Sequence, residues 1–100
     1  MSVYLMLTTL TDKGRDAIQA DPEMLREINK EVEHMGVKVL DQYALLGQYD
    51  FVNIVEAPSN EVMAKLAIRL SSKGTFQTLT MAAITLNNLI DALKRKETPW

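Results

Sequence analysis

The sequence predicts an α+β fold built on one four-stranded antiparallel sheet. Three features predict it. Four short runs are dense in Val, Ile, Leu, Thr and aromatic residues, two segments with helical apolar spacing lie between them, and a brief Gly-containing link joins the second and third runs. The first run, residues 3–10, carries large side chains on both parities. Val3, Leu5 and Leu7 point one way and Tyr4 and Met6 the other, the pattern of a strand buried on both faces.

Thr11, Asp12, Lys13 and Gly14 form a loop with helix-start chemistry, and a short helix over 15–20 is expected to follow. The helix restarts or kinks at Asp21 and Pro22. Asp21 is a suitable N-cap, Pro22 suits the first helical position, and Glu23 matches the positive helix end. Leu25, Ile28, Val32 and Met35 then mark one apolar stripe, and Gly36 supplies a left-handed cap.

Residues 37–46 and 49–56 read as the second and third strands, joined at Gly47 and Gln48 in an antiparallel hairpin. Ser59 caps a second helix that runs to about Ser72. This helix buries Val62, Leu66 and Leu70, with Met63 and Ala67 beside them, and pairs Glu61 with Lys65 on its surface. Gly74 closes it. The fourth strand covers 75–85, with Leu79, Met81 and Ala83 on one face and Phe76, Thr78, Thr80, Ala82 and Ile84 on the other. A terminal helix over 86–94 gathers Leu86, Leu89, Ile90 and Leu93 on one side, and Lys94, Arg95 and Lys96 suit its C-terminal end. One domain is expected over 1–96, with 97–100, ending at Trp100, as a tail.

The resulting order, β-α-β-β-α-β-α, is the ferredoxin-like pattern with an added terminal helix: two helices cover one face of the sheet and leave the other open. A solvated open face requires alternation of apolar and polar residues. Phe51, Val52, Ile54 and Val55 break that alternation, so something must cover the second face. A second subunit and the folded-back terminal helix are the two candidates. A symmetric homo-oligomer with sheets facing each other, a dimeric α/β-barrel, is the expected solution.

Composition narrows the function classes. The 100 residues are 47% hydrophobic and 24% charged, which is globular and argues against disorder. A net charge of -2 supplies no general field for nucleic acid or anionic membrane. The absence of cysteine excludes disulfides, thiolate metal sites and a thiol nucleophile. No segment reaches the roughly 18 apolar residues of a membrane span, and the N-terminus lacks signal-peptide features. Cytoplasm is the expected location, with no nucleic-acid or membrane partner and no cofactor.

At the hairpin the sequence reads Gly47, Gln48, Tyr49, Asp50, Phe51, Val52, Asn53, Ile54, Val55, Glu56, Ala57, Pro58. This resembles the GYD family, which takes its name from the Gly, Tyr and Asp found here at 47, 49 and 50. Thr11, Asp12, Lys13 and Gly14 near the start, and Gly74 to Thr80 near the end, extend the resemblance to roughly residues 3–85. The resemblance implies ferredoxin-like protomers paired through their sheets. Family members often carry Trp where Leu10 stands and Arg where Gln77 stands. A shared ligand site built on those residues would be absent here or would take something less anionic. The terminal helix lies outside the resemblance.

Gly47 most simply serves the turn. Tyr49 and Asp50 are the catalytic candidates: Asp50 as a general base if desolvated, Tyr49 through its hydroxyl. The plainer reading has Tyr49 packing and Asp50 bonding local amides. Tyr4, Asn53, Thr78 and Thr80 are polar guests on otherwise buried strands. Converging on one face, they would line a small-ligand pocket; they would serve equally as hydrogen-bonding groups across a dimer interface. His34, the only histidine, lies off the apolar stripe and is expected to be exposed; with no cysteine or second histidine, no metal site is expected. The six methionines read as core filler, and the basic run at 94–96 as a solvated helix end.

These readings favour a non-enzymatic, homo-oligomeric module that binds a small molecule or a partner. One alternative is a cofactor-independent enzyme acting on a small apolar substrate in the barrel, with Asp50 or Tyr49 as acid–base group and Asn53 orienting the substrate. Another is a structural assembly partner using residues 86–100.

Overall fold

In the computed structural model, which describes residues 1–95, the chain runs β1 (Ser2–Leu10), α1 (Asp12–Ala20), α2 (Met24–His34), β2 (Lys38–Ala44), β3 (Phe51–Ala57), α3 (Asn60–Ser72), β4 (Phe76–Ala83) and α4 (Leu86–Lys94). The strands form one antiparallel sheet in the order β2-β3-β1-β4, with β1 between β3 and β4. This is the ferredoxin-like arrangement that the element order predicts. The expected tail at 97–100 lies outside the described residues, as does the end of the domain at residue 96.

α2 and α3 cover one face of the sheet. Tyr4 and Met6 of β1 and Val55 and Ala57 of β3 meet Val32, Val37, Met63, Leu66 and Leu70 in a single apolar core. The expected stripe of α2 packs there: Val32 is buried, and Ile28 and Met35 lie against it. Leu66 is 1% exposed, so its side chain contributes about 2–3 kcal/mol of burial free energy. Side-chain caps start three helices. Thr11 accepts from the Gly14 amide at 3.1 Å, Ser59 from Val62 at 3.3 Å and Thr85 from Asn88 at 3.1 Å.

Several boundaries differ from the sequence reading. α1 starts at Asp12, because Thr11 already caps it. Asp21 ends α1 instead of capping α2: its amide donates to the Ala17 carbonyl, and its own carbonyl accepts from Met24 at 3.1 Å. The β2–β3 connection spans residues 45–50 rather than two residues. There the Leu45 amide donates to the Asp50 carbonyl at 2.7 Å and the Asp50 amide to the Thr8 carbonyl of β1 at 2.9 Å, while Leu46 stands fully exposed, so the apolar run outlasts β2 by Leu45 and Leu46. Gly47 takes a φ of 120°, the conformation the turn needs.

β4 stops at Ala83, and α4 packs substantially on no other element. The Cα radius of gyration is 16.1 Å, against about 13 Å for a round 100-residue domain, and the long axis is 57 Å beside a shortest axis of 22 Å. The terminal helix therefore does not fold back over the sheet. Among the described residues the second face of the sheet is left open.

Candidate functional site

Register sorts the strand residues onto two faces. Toward the helices lie three transverse rows: Val39, Val55, Tyr4 and Ala82; then Gln42, Asn53, Met6 and Thr80; then Ala44, Phe51, Thr8 and Thr78. Toward the open side lie Tyr43, Val52, Leu7 and Leu79, then Asp41, Ile54, Leu5 and Met81, and beyond them Lys38, Glu56, Val3 and Ala83. The centre of this open face is apolar. Tyr43 is 60% exposed, Leu79 45% and Met81 40%, while charged residues stand only along β2 and at Glu56. An apolar surface bounded this way is the ordinary signature of a protein interface.

All four predicted ligand residues, Tyr4, Asn53, Thr78 and Thr80, share the helix-covered face rather than the open one. They do not form one cluster. The Tyr4 hydroxyl donates to Asn60 Oδ1 at the start of α3. Asn53 Nδ2 donates to the Met6 carbonyl at 3.0 Å. The Thr80 hydroxyl is buried with no partner among the described residues. Asn53 also lines a cavity.

That cavity, of about 210 Å³, lies between α2 and the sheet. Its walls include Leu25, Ile28 and Val32 of α2, Leu66 and Leu70 of α3, and Phe51 and Phe76 from the sheet. Its polar lining is uncharged: Thr8, Asn29, Gln42 and Asn53. Three amides form a ladder along it. Asn29 Nδ2 donates to Gln42 Oε1 at 2.8 Å, and Gln42 Nε2 donates to Asn29 Oδ1 at 3.1 Å and Asn53 Oδ1 at 2.7 Å. Sequence reasoning missed Gln42 and Asn29. The bulge between Val39 and Asp41 adds one residue, and strict alternation from Val39 would have turned Gln42 outward.

The catalytic candidates sit elsewhere. Asp50 Oδ2 accepts from the Leu10 amide at 2.7 Å, so its carboxylate fixes the end of β1, and neither Asp50 nor half-buried Tyr49 lines the cavity. The three motif segments meet at this end of the sheet. Thr11 Oγ1 donates to the Gly74 carbonyl at 2.6 Å, the Thr11 amide to Thr75 at 3.1 Å, and Lys13 Nζ to the Lys73 carbonyl at 3.2 Å. Gly14 is needed for that approach, because a Cβ there would stand 2.1 Å from the Thr75 carbonyl oxygen. The motif residues thus tie the β1–α1, β2–β3 and α3–β4 connections together.

Between α2 and α3, Glu31 bonds Lys73 at 2.7 Å and faces Arg69 at 3.6 Å. The hydrogen bond from Lys73 and the two positive charges hold its carboxyl below the usual value of 4.5. His34 is exposed, as expected. No group of three or more His, Asp or Glu side chains stands close enough to hold a metal ion among the described residues. No described helix is long and apolar enough to cross a membrane.

Fold and motif together define a ferredoxin-like domain whose shared residues secure its loops. The chain belongs to the GYD domain family, whose model matches residues 4–93 and so takes in α4 as well. It is 43% identical over 95 residues to the glutamine synthetase and cystathionine beta-lyase binding protein of Thermus thermophilus, covering 94% of this chain and all of that one. Solved structures share the fold at lower identity. The leucine response regulatory protein of Mycobacterium tuberculosis superposes with a TM-score of 0.56 at 17% identity over 84% of this chain, which spans about half (51%) of that regulator. A second Thermus thermophilus protein, known by its crystal structure, gives 0.56 at 21% identity, over 85% of this chain and 95% of that one.

Proposed function

We propose that this chain is a non-enzymatic interaction module that pairs with a second copy of itself through the open sheet face and docks an enzyme of amino-acid metabolism. The carrying observation is the apolar centre of that face, Leu5, Leu7, Val52, Ile54, Leu79 and Met81, which neither α2, α3 nor α4 covers. A two-fold pairing buries the same patch on both copies and leaves the charges of β2 at the rim. The full-length likeness to a protein named for binding glutamine synthetase and cystathionine beta-lyase supports the enzyme-docking half.

The test is to mix the purified chain with glutamine synthetase and with cystathionine beta-lyase from its own source and follow each mixture by light scattering after size exclusion. Co-elution with either enzyme at micromolar concentration is expected. Independent elution of both would remove the enzyme-docking half and leave self-association to be judged separately.

A further inference from the structure

The geometry points to a second site on this chain, a pocket for a small uncharged molecule between α2 and the sheet, read by the Asn29–Gln42–Asn53 ladder. Neither sheet-to-sheet pairing nor enzyme docking requires this cavity, so the inference stands apart from the proposed function. At about 210 Å³ the cavity exceeds the roughly 150 Å³ that accommodates benzene, and it falls short of the roughly 300 Å³ at which drug-sized sites begin. Its occupant therefore has on the order of six to ten heavy atoms. The exposed members of its lining, Gln42 and Ala44, both belong to the edge strand β2, which places the opening there.

The chemistry of the occupant follows from what the walls lack and what the ladder leaves over. No charged side chain lines the cavity, so an ionised ligand would lose its hydration without compensation. Most of the wall is aliphatic or aromatic, which suits a ring or a branched chain. Gln42 spends both amide hydrogens inside the ladder. Asn29 Nδ2 and Asn53 Nδ2 each retain one N–H, since one hydrogen of each is already donated, to Gln42 and to the Met6 carbonyl. The amide oxygens retain acceptor capacity. One hydroxyl on an otherwise apolar molecule can take a hydrogen bond from a spare N–H and donate to an amide oxygen. Asn53 is only 8% exposed, so its orientation is fixed before any ligand arrives. The ligand class is a small neutral alcohol or phenol.

The experiment uses the full chain, isotope-labelled, with phenol, benzene and benzoate as probes in NMR titrations at neutral pH. Saturable phenol binding is expected, with the largest shifts at the side-chain amides of Asn29, Gln42 and Asn53. Benzene should bind about tenfold more weakly, the worth of one or two net hydrogen bonds, and benzoate should not saturate. Asn29→Leu combined with Asn53→Leu, which removes both spare N–H groups, should bring phenol and benzene to similar affinity. Ala44→Phe, at an exposed position beside the opening, should abolish binding of both while the backbone spectrum stays folded. Absence of saturable phenol binding, benzoate binding as tightly as phenol, or phenol shifts that persist in Ala44→Phe would each overturn the site. An unchanged phenol preference in the Asn29→Leu, Asn53→Leu double variant would overturn the role of the ladder.

Discussion

The two faces of the sheet are built from the same four strands and differ in what completes them. On the helix side β1 and β3 supply the core that α2 and α3 close, β2 adds half-buried Val39 and β4 buried Phe76, and Tyr4, Gln42 and Asn53 are hydrogen-bonded within the chain. On the other side Leu5, Leu7, Val52 and Ile54 lie half-buried, and Leu79 and Met81 lie open, with no described helix above them. Similar side chains thus hold the protomer together on one face and remain available for association on the other. Substitutions should separate the two roles.

The largest effect is expected on the closed face. Leu66→Ala should lower unfolding free energy by about 4 kcal/mol, because a fully buried leucine leaves a cavity. Chemical denaturation measures this, and the folded fraction should keep its assembly state. On the open face Ile54→Asp should do the reverse. It should weaken self-association at least about a hundredfold, since each pairing would bury two carboxylates in apolar surroundings. Circular dichroism should still report a folded protomer. A loss of fold in Ile54→Asp would erase the distinction between the faces.

A finer test concerns the one buried hydroxyl without a partner among the described residues. Thr80→Val removes that oxygen while keeping the branched shape, and should stabilise the protomer by about 1 kcal/mol in thermal or denaturant unfolding. The smallest effect lies between the helices. The Glu31 carboxyl is held below 4.5 by Lys73 and Arg69, so its contribution is complete above that pH and is lost as pH falls through the lowered folded value. Glu31→Gln should flatten the acid limb of the stability profile by a few tenths of a kcal/mol, the scale of a partly exposed ion pair.

The sequence was most legible where side-chain period and capping chemistry agree. Val62, Leu66 and Leu70 with Ser59, and Tyr4 and Met6 set against Leu5 and Leu7, gave the second main helix, the strand faces and hence the open sheet. Loop geometry was less legible. Leu45 and Leu46 continue an apolar run, and it is the full exposure of Leu46 that shows the chain has left the sheet. The cavity was hidden for a related reason. The bulge at Leu40 reverses the parity of β2 and turns Gln42 toward Asn53, and no single-residue preference announces that shift. At Asp50 the residue type alone suits both acid–base chemistry and backbone anchoring, and only the structure shows the Leu10 amide donating to its carboxylate.

The central claim is that a second copy covers the open face, and sedimentation velocity of the purified chain at micromolar concentration tests it most directly. The account predicts a dimer, or a larger assembly of dimers, that Ile54→Asp reduces to monomer. A wild-type chain that sediments as a monomer across that range would contradict it.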